Sequence, residues 1–240
     1  MHGARGDESS QVYVTEIEER RPHAVRLART LLRPESGGEE SDAGQLEDES
    51  EIVTITSVVV IDGNRWCLLD GEPPKGHEVL VRIDVARREI LARLHTAAHI
   101  LNSLVYLHFD GALVNGVHLK GDGSGRVDFD LPDADNGALR GLEVEVNEII
   151  RADRRVLEGS LSQEDLTRAA GVIRSLAATP LPDADGSVRV VEIEGFDVQA
   201  CSGSHVSSTA LIGGMRILKV DSKGRHNRRV RFSLEPRCML

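Results

Sequence analysis

Aromatic residues are scarce in this 240-residue chain: Phe, Trp and Tyr make up 3%, seven residues scattered singly from Tyr13 to Phe232. A single-strand binding mode built on base stacking has little to work with. Cysteine is scarce too. Cys67, Cys201 and Cys238 are too few, and odd in number, for a disulfide framework, so an important one is expected as a metal ligand or a nucleophile. No apolar run approaches the length of a bilayer span, and no membrane contact is expected. Met1 to Gln11 is polar and carries Asp7 and Glu8 where a signal peptide needs a basic start and an apolar stretch, so the expected location is cytoplasmic. A nucleotide-binding loop of the G-x-x-x-x-G-K type is missing, which leaves an ATP-driven step nowhere to happen. No heptad pattern appears, and the oligomeric state stays open.

What is present is the composition of an ordinary globular protein, 40% hydrophobic and 28% charged, with length for one large domain or two small ones. The net charge of −10 opposes indiscriminate coating of nucleic acid. That charge is unevenly spread. Glu35 to Glu51 holds eight acids and no Lys or Arg, whereas Arg216 to Arg237 holds eight bases against Asp221 and Glu235.

The first 83 residues read as short strands separated by turns. Val12 and Val14 alternate with Tyr13 and Thr15, Val25 and Leu27 straddle Arg26, and Ile52 to Ile61 is a β-branched run. Asp62-Gly63-Asn64 signals a hairpin with Trp66 to Leu69 as its return strand, and Glu78 to Asp84 alternates again. A small β-barrel over 1–83 is expected. At Asp84, a plausible N-cap, the period changes: Ile90, Leu91, Leu94, Ala98, Leu101 and Val105 follow the three-and-four spacing of one helical face, predicting a helix from Val85 to about Tyr106. A hairpin is expected from Leu113–Leu119 and Arg126–Leu131, a second helix over Leu139–Arg155 and a third over Ser162–Ser175. Val188–Ile193, Gly214–Val220 and Arg228–Ser233 read as strands of one sheet. Asp128 and Asp130, flanking Phe129, are expected to face solvent. The fold class is therefore α+β, with the barrel followed by an α+β domain over 84–240.

His95-Thr96-Ala97-Ala98-His99 places two imidazoles one turn apart on the long helix, roughly 6 Å from each other on one face. Cys201-Ser202-Gly203-Ser204-His205 adds a thiolate and an imidazole at the same spacing, with Gly203 permitting a tight loop. Neutral imidazole and thiolate are ligand types that suit zinc. A protease of the H-E-x-x-H type is excluded, because Thr96 stands where a general-base glutamate is needed. A cytidine deaminase is excluded by the lack of an H-x-E paired with P-C-x-x-C.

These residues resemble the H-T-x-x-H and C-x-G-T-H-V motifs of the alanyl-tRNA synthetase editing domain and of its freestanding relatives, the AlaX-type editing proteins. Thr30 to Gly44 is similar to the family's T-x-F-Y-x-x-x-G-G-Q-x-x-D-x-G segment, with Leu32 and Arg33 in place of its aromatic pair, Glu39 in place of Gln and Glu40 where freestanding members often have Pro. Ser222 to Arg231 resembles the closing S-K-G-x-x-N-R-R-I-R strand, with His226 replacing a small residue. The likeness runs in order from about residue 12 to 233.

The resemblance implies a zinc-dependent trans-editing hydrolase that removes wrongly attached serine or glycine from alanine tRNA by ester hydrolysis. It implies zinc on His95, His99, Cys201 and His205. It also implies a catalytic role for Thr30, through recognition of the amino acid by its hydroxyl, and for Glu39, as a base or a partner of the substrate ammonium group. Four protein ligands make a closed tetrahedral set, so either a fifth, weakly held water is bound or the ion anchors substrate while water is activated nearby. Lys223, Arg225, Arg228 and Arg229 are the residues expected to contact tRNA phosphates. Two other functions stay open on sequence: the same scaffold redirected to another aminoacyl-tRNA or a small ester or amide, and a non-catalytic tRNA-binding zinc module.

Overall fold

The computed structural model describes residues 11–132, 135–169, 171–176, 182–183 and 185–235. The chain divides into two compact units. The first comprises the described part of Met1–Ser36 together with Glu40–Arg88, and the second comprises Gly37–Glu39 and the described part of Glu89–Leu240. Cys238 lies outside the described residues.

The first unit is a closed antiparallel barrel of β1 (Val12–Arg21), β2 (Ala24–Leu27), β3 (Gly44–Glu47), β4 (Ile52–Ile61), β5 (Asn64–Leu69) and β6 (Glu78–Ile83), in the order β1-β2-β5-β4-β3-β6. Alternation decides which side of each strand turns inward. In β1, Tyr13, Thr15 and Ile17 are buried while Val12 and Val14 face out. Val25, Leu46, Ile55, Val58, Cys67 and Val81 complete the centre of the barrel, each at most 1% exposed. The β4–β5 turn has positive φ at both Asp62 (50°) and Gly63 (76°), the backbone that a two-residue Asp-Gly loop supplies. A register shift between Ile55 and Ser57 bends β4. The sequence signal missed β3, which pairs with both β4 and β6. It lies in the acidic segment and offers only Leu46 as an apolar anchor.

The second unit holds most of α1 (Val85–His108), then β7 (Leu113–Leu119), β8 (Ser124–Asp130), α2 (Asn136–Arg151), β9 (Val156–Leu161), α3 (Gln163–Arg168), β10 (Val188–Ile193), β11 (Asp197–Ala200), a 3-10 turn (Thr209–Ile212), β12 (Met215–Ser222) and β13 (Asn227–Leu234). The expectation of one sheet is corrected. β12-β13-β8-β7 form a four-stranded antiparallel sheet, whereas β10 pairs with β9 and β11 in a separate three-stranded one. The main hydrophobic core draws on α1, α2 and both sheets, and a smaller cluster gathers Leu166, Val172, Val188 and Val190.

The long helix is more deeply placed than one apolar stripe suggests. Every residue from Leu94 to Val105 is buried, polar ones included, so its middle is enclosed on all sides. The second helix begins at Asn136, with the Asp135 side chain accepting from Gly137 N–H, and ends at Arg151 rather than Arg155. The third is one short segment, not a run to Ser175. Gly171 takes φ 81°, and 174–176 lie extended beside Val114, with Val114 N–H donating to Arg174 O and Leu176 N–H to Val114 O. Among the described residues, no helix is long and apolar enough to cross a membrane.

Candidate metal centre

Four side chains of the second unit converge. His95 and His99 stand one turn apart in the enclosed middle of α1, and Cys201 and His205 lie on the loop between β11 and the 3-10 turn. One ligand atom from each of the four lies within 4.8 Å of every other, and together they could hold a metal ion. His95 Nε2 and His205 Nε2 each sit 3.4 Å from Cys201 Sγ. Zinc–nitrogen and zinc–sulfur bond lengths with a tetrahedral angle give about 3.6 Å for that separation. The donor set fits a tetrahedral ion.

The outer hydrogen bonds fix which nitrogens face inward. His95 Nδ1 donates to Glu39 Oε1 at 2.6 Å, leaving Nε2 toward the sulfur. Thr96 Oγ1 donates its one proton to Ala92 O (2.9 Å) and accepts from Val206 N–H (3.2 Å), so its 3.1 Å contact with His205 Nδ1 is a bond donated by the ring. His205 Nε2 is thereby left as a lone pair aimed at Cys201 Sγ, an arrangement that a cation between them satisfies. Gly203 N–H donates to Sγ at 3.3 Å. Arg189 Nη1 ties the loop down through Cys201 O (2.8 Å) and Gly203 O (2.9 Å).

Charge in the cluster follows from this packing. Burial works against the Cys201 thiolate, but the charges of His95 and His99 and the close approach of the His205 and His95 rings, each 3.4 Å from Sγ, outweigh it, holding the thiol far below its ordinary value. Burial pushes His95 down, yet Cys201 and Glu39 carry it up to about 10. His205 is lowered to about 3, first by burial and then by the charge of His99. For Glu39, burial opposes ionisation, and His95 with the Ser204 hydroxyl and N–H overcomes it, keeping the carboxylate below the usual range.

Glu39 Oε1 also accepts from Ser204 Oγ (2.8 Å) and Ser204 N–H (3.2 Å). It reaches this position because Gly37–Glu39 groups with the second unit: Leu119 N–H donates to Gly38 O at 2.7 Å, and Glu39 bridges in parallel to Leu119. Thr30 belongs to the first unit, where its Oγ1 accepts from Leu32 N–H and lies 3.3 Å from the Tyr13 hydroxyl. Three contributors were missed from sequence. Thr96 and Ser204 lie inside the motifs, and the signal was a hydroxyl next to a ligand position. Arg189 had none, sitting twelve residues before Cys201.

The four basic residues expected to meet phosphate are treated differently by the fold. Lys223 and Arg225 are exposed in the β12–β13 turn. Arg228 is 8% exposed, with Nη1 3.4 Å from both Gly224 O and Asn227 O. Arg229 makes a two-pronged ion pair with Asp128, 2.7 and 2.8 Å, and Asp128 is therefore buried rather than facing solvent as expected.

Residues 188–231 match the family model described as the threonyl and alanyl tRNA synthetase second additional domain. The chain is 35% identical over 217 residues to the alanyl-tRNA editing protein AlaX-M of Methanosarcina barkeri, covering 88% of each. The protein of that name in Saccharolobus solfataricus is 33% identical over 236 residues, 93% of this chain and 96% of the relative. The chain belongs to the alanyl-tRNA editing protein family. Members of the alanine--tRNA ligases share the same stretch: that of Methanopyrus kandleri is 33% identical over 87% of this chain, which spans 23% of the ligase. In this chain, Cys201–His205 lies within the family-model match, while His95 and His99 precede it.

Proposed function

We propose that this chain is a zinc-dependent hydrolase that acts in trans to cleave the ester joining serine or glycine to alanine tRNA. The observation that carries the reading is the four-donor cluster with its inward-facing ring nitrogens fixed by Glu39 and Thr96, in a chain of the alanyl-tRNA editing family. Zinc on His95, His99, Cys201 and His205 would supply positive charge for polarising an ester carbonyl or a water. Glu39 orients His95 and keeps its Nδ1 proton in place through the 2.6 Å bond. Thr30, from the matched glycine-rich segment, is the hydroxyl we assign to reading the amino acid, since a polar partner left unpaired by the wrong substrate discriminates strongly. Residues 1–83 carry Thr30 and residues 84–240 the metal ligands. Lys223 and Arg225 are open to phosphate in the β12–β13 turn. We assign the protein to the cytoplasm, where charged tRNA of this kind is at hand.

The test is release of amino acid from serine-, glycine- and alanine-charged alanine tRNA, with metal content measured on the same preparation. Selective release of serine or glycine, abolished by chelation and by Cys201→Ala, is expected. Undiminished release from metal-free protein, or binding without turnover, overturns the proposal.

A further inference from the structure

The outward face of the four-stranded sheet carries a row of basic side chains that the fold neutralises only in part. Directly opposed residues of antiparallel strands point to the same side. The pairings His118↔Arg126, Arg126↔Arg231 and Arg231↔Lys219 therefore line up four basic side chains across β7, β8, β13 and β12. At strand spacings of about 4.8 Å the row spans about 14 Å. Two residues along the same face, the neighbouring row reads Asp128, Arg229 and Asp221, and there the charges balance through the Asp128–Arg229 pair. In the cationic row, Asp221 alone serves both Lys219 (2.7 Å) and Arg231 (3.3 Å). No ion pair to Arg126 or Lys120 is found among the described residues. Like charges placed opposite one another destabilise a sheet, and a chain of net charge −10 has ample acid with which to avoid it.

The row is also concave. His118, Lys120, Arg126, Arg231 and Leu218 line a basin of about 330 Å³. One end of it adjoins the metal centre's outer shell along the chain, for His118 precedes the Leu119 whose N–H holds Gly38 O, next to Glu39.

We infer that this face, through Arg126, Arg231, His118, Lys120 and Lys219, is where the phosphate backbone of the tRNA docks. The inference rests on the tRNA-editing reading above and adds a surface to it. Charge complementarity selects the occupant: the guanidinium and ammonium groups of Arg126, Arg231 and Lys219, spread over about 10 Å with the His118 imidazole at the end of the row, match successive phosphates, and the near absence of exposed aromatic side chains on the row rules out base stacking as the grip.

The experiment is fluorescence anisotropy of the full chain with uncharged alanine tRNA, the dissociation constant being followed against salt. Each phosphate contact contributes roughly 0.8 to the slope of log affinity against log salt, so Arg126→Gln with Arg231→Gln should lower the slope by roughly 1.6 and weaken binding on the order of 40-fold at 0.1 M salt. Arg126→Lys should restore the slope that Arg126→Gln loses, which a purely structural guanidinium would not do. Thermal midpoints of the variants identify any that fail to fold, and Lys219→Gln on the sheet's other edge then gives the same reading with a smaller loss. An unchanged slope and affinity in the double variant overturns the inference. So does competition by polyglutamate as effective as that by tRNA, which would mark the face as a dock for an acidic protein. Because the tRNA is uncharged, these outcomes are independent of hydrolysis: salt-dependent binding without deacylation refutes the editing reading alone.

Discussion

Replacing Glu39 by Gln isolates the charge of the carboxylate beneath His95 while keeping its shape. In the native site, Oε1 accepts three hydrogen bonds, from His95 Nδ1 at 2.6 Å and from the hydroxyl and N–H of Ser204 at 2.8 and 3.2 Å. An amide oxygen can accept the same three, so geometry is conserved and the charge assistance is lost. Bonds to charged groups contribute about 1.5–3 kcal/mol against about 1 kcal/mol for neutral ones, a difference of about 0.5–2 kcal/mol. Changes to groups that orient metal-bound imidazoles weaken metal binding by about 10–100-fold, and conservation of shape puts Glu39→Gln near the lower end, about tenfold. Glu39→Ala, which strands a buried Nδ1–H, should fall near the upper end. Competition with a chromophoric zinc chelator measures both. Zinc affinity unchanged in both variants would refute the idea that Glu39 acts through His95. A variant that binds zinc normally yet has lost deacylation would instead place the carboxylate on the substrate.

Gly203→Ala should abolish metal binding while the fold survives, because a Cβ there would lie 2.0 Å from His95 Cε1; metal analysis beside circular dichroism decides, and a variant with full metal content refutes the packing argument. Arg229→Ala should destabilise the protein by about 1–3 kcal/mol, discounted for the partial exposure of the arginine, because it leaves the buried Asp128 without its partner. A double-mutant cycle with Asp128→Ala in urea should show coupling, and strict additivity would remove the pair from the stability account. Burial pushes Cys67 up to about 12 from an ordinary 9.0. Between those values the unfolded chain has lost a proton that the folded one keeps, so stability falls as pH rises from about 9 toward 12. The urea midpoint of Cys67→Ala should fall less steeply over that window than that of the native chain; identical slopes would refute it.

Much of the barrel could be read from local pattern, since Val12–Thr15, Ile52–Ile61 and the Asp62-Gly63 turn each carry their instruction within a few residues. β3 could not, because its strand character comes from neighbours on both sides and not from its own polar composition. The same holds for the sheets. Val188–Ile193 announces a strand, but nothing within it says that its partners are β9 and β11 rather than β12 and β13. The four candidate ligands were legible because the chelating geometry is a short-range spacing, four residues in each pair. Their supporting shell was not: Glu39 meets His95 from 56 residues away; nor was the sheet's ion pair, in which Arg229 meets Asp128 from 101. A count of basic residues in a segment reveals charge, and only the fold reveals which of those charges are already spent.

The grouping of Gly37–Glu39 with the second unit makes the backbone change units three times, after Ser36, after Glu39 and after Arg88. A fragment starting at residue 84 would carry all four donors and still arrive without the carboxylate under the first of them. The unit that carries the four donors is consequently not a portable cassette. Any fusion, truncation or recombination that moves it must carry along a loop encoded inside the barrel, which ties the inheritance of the two halves together.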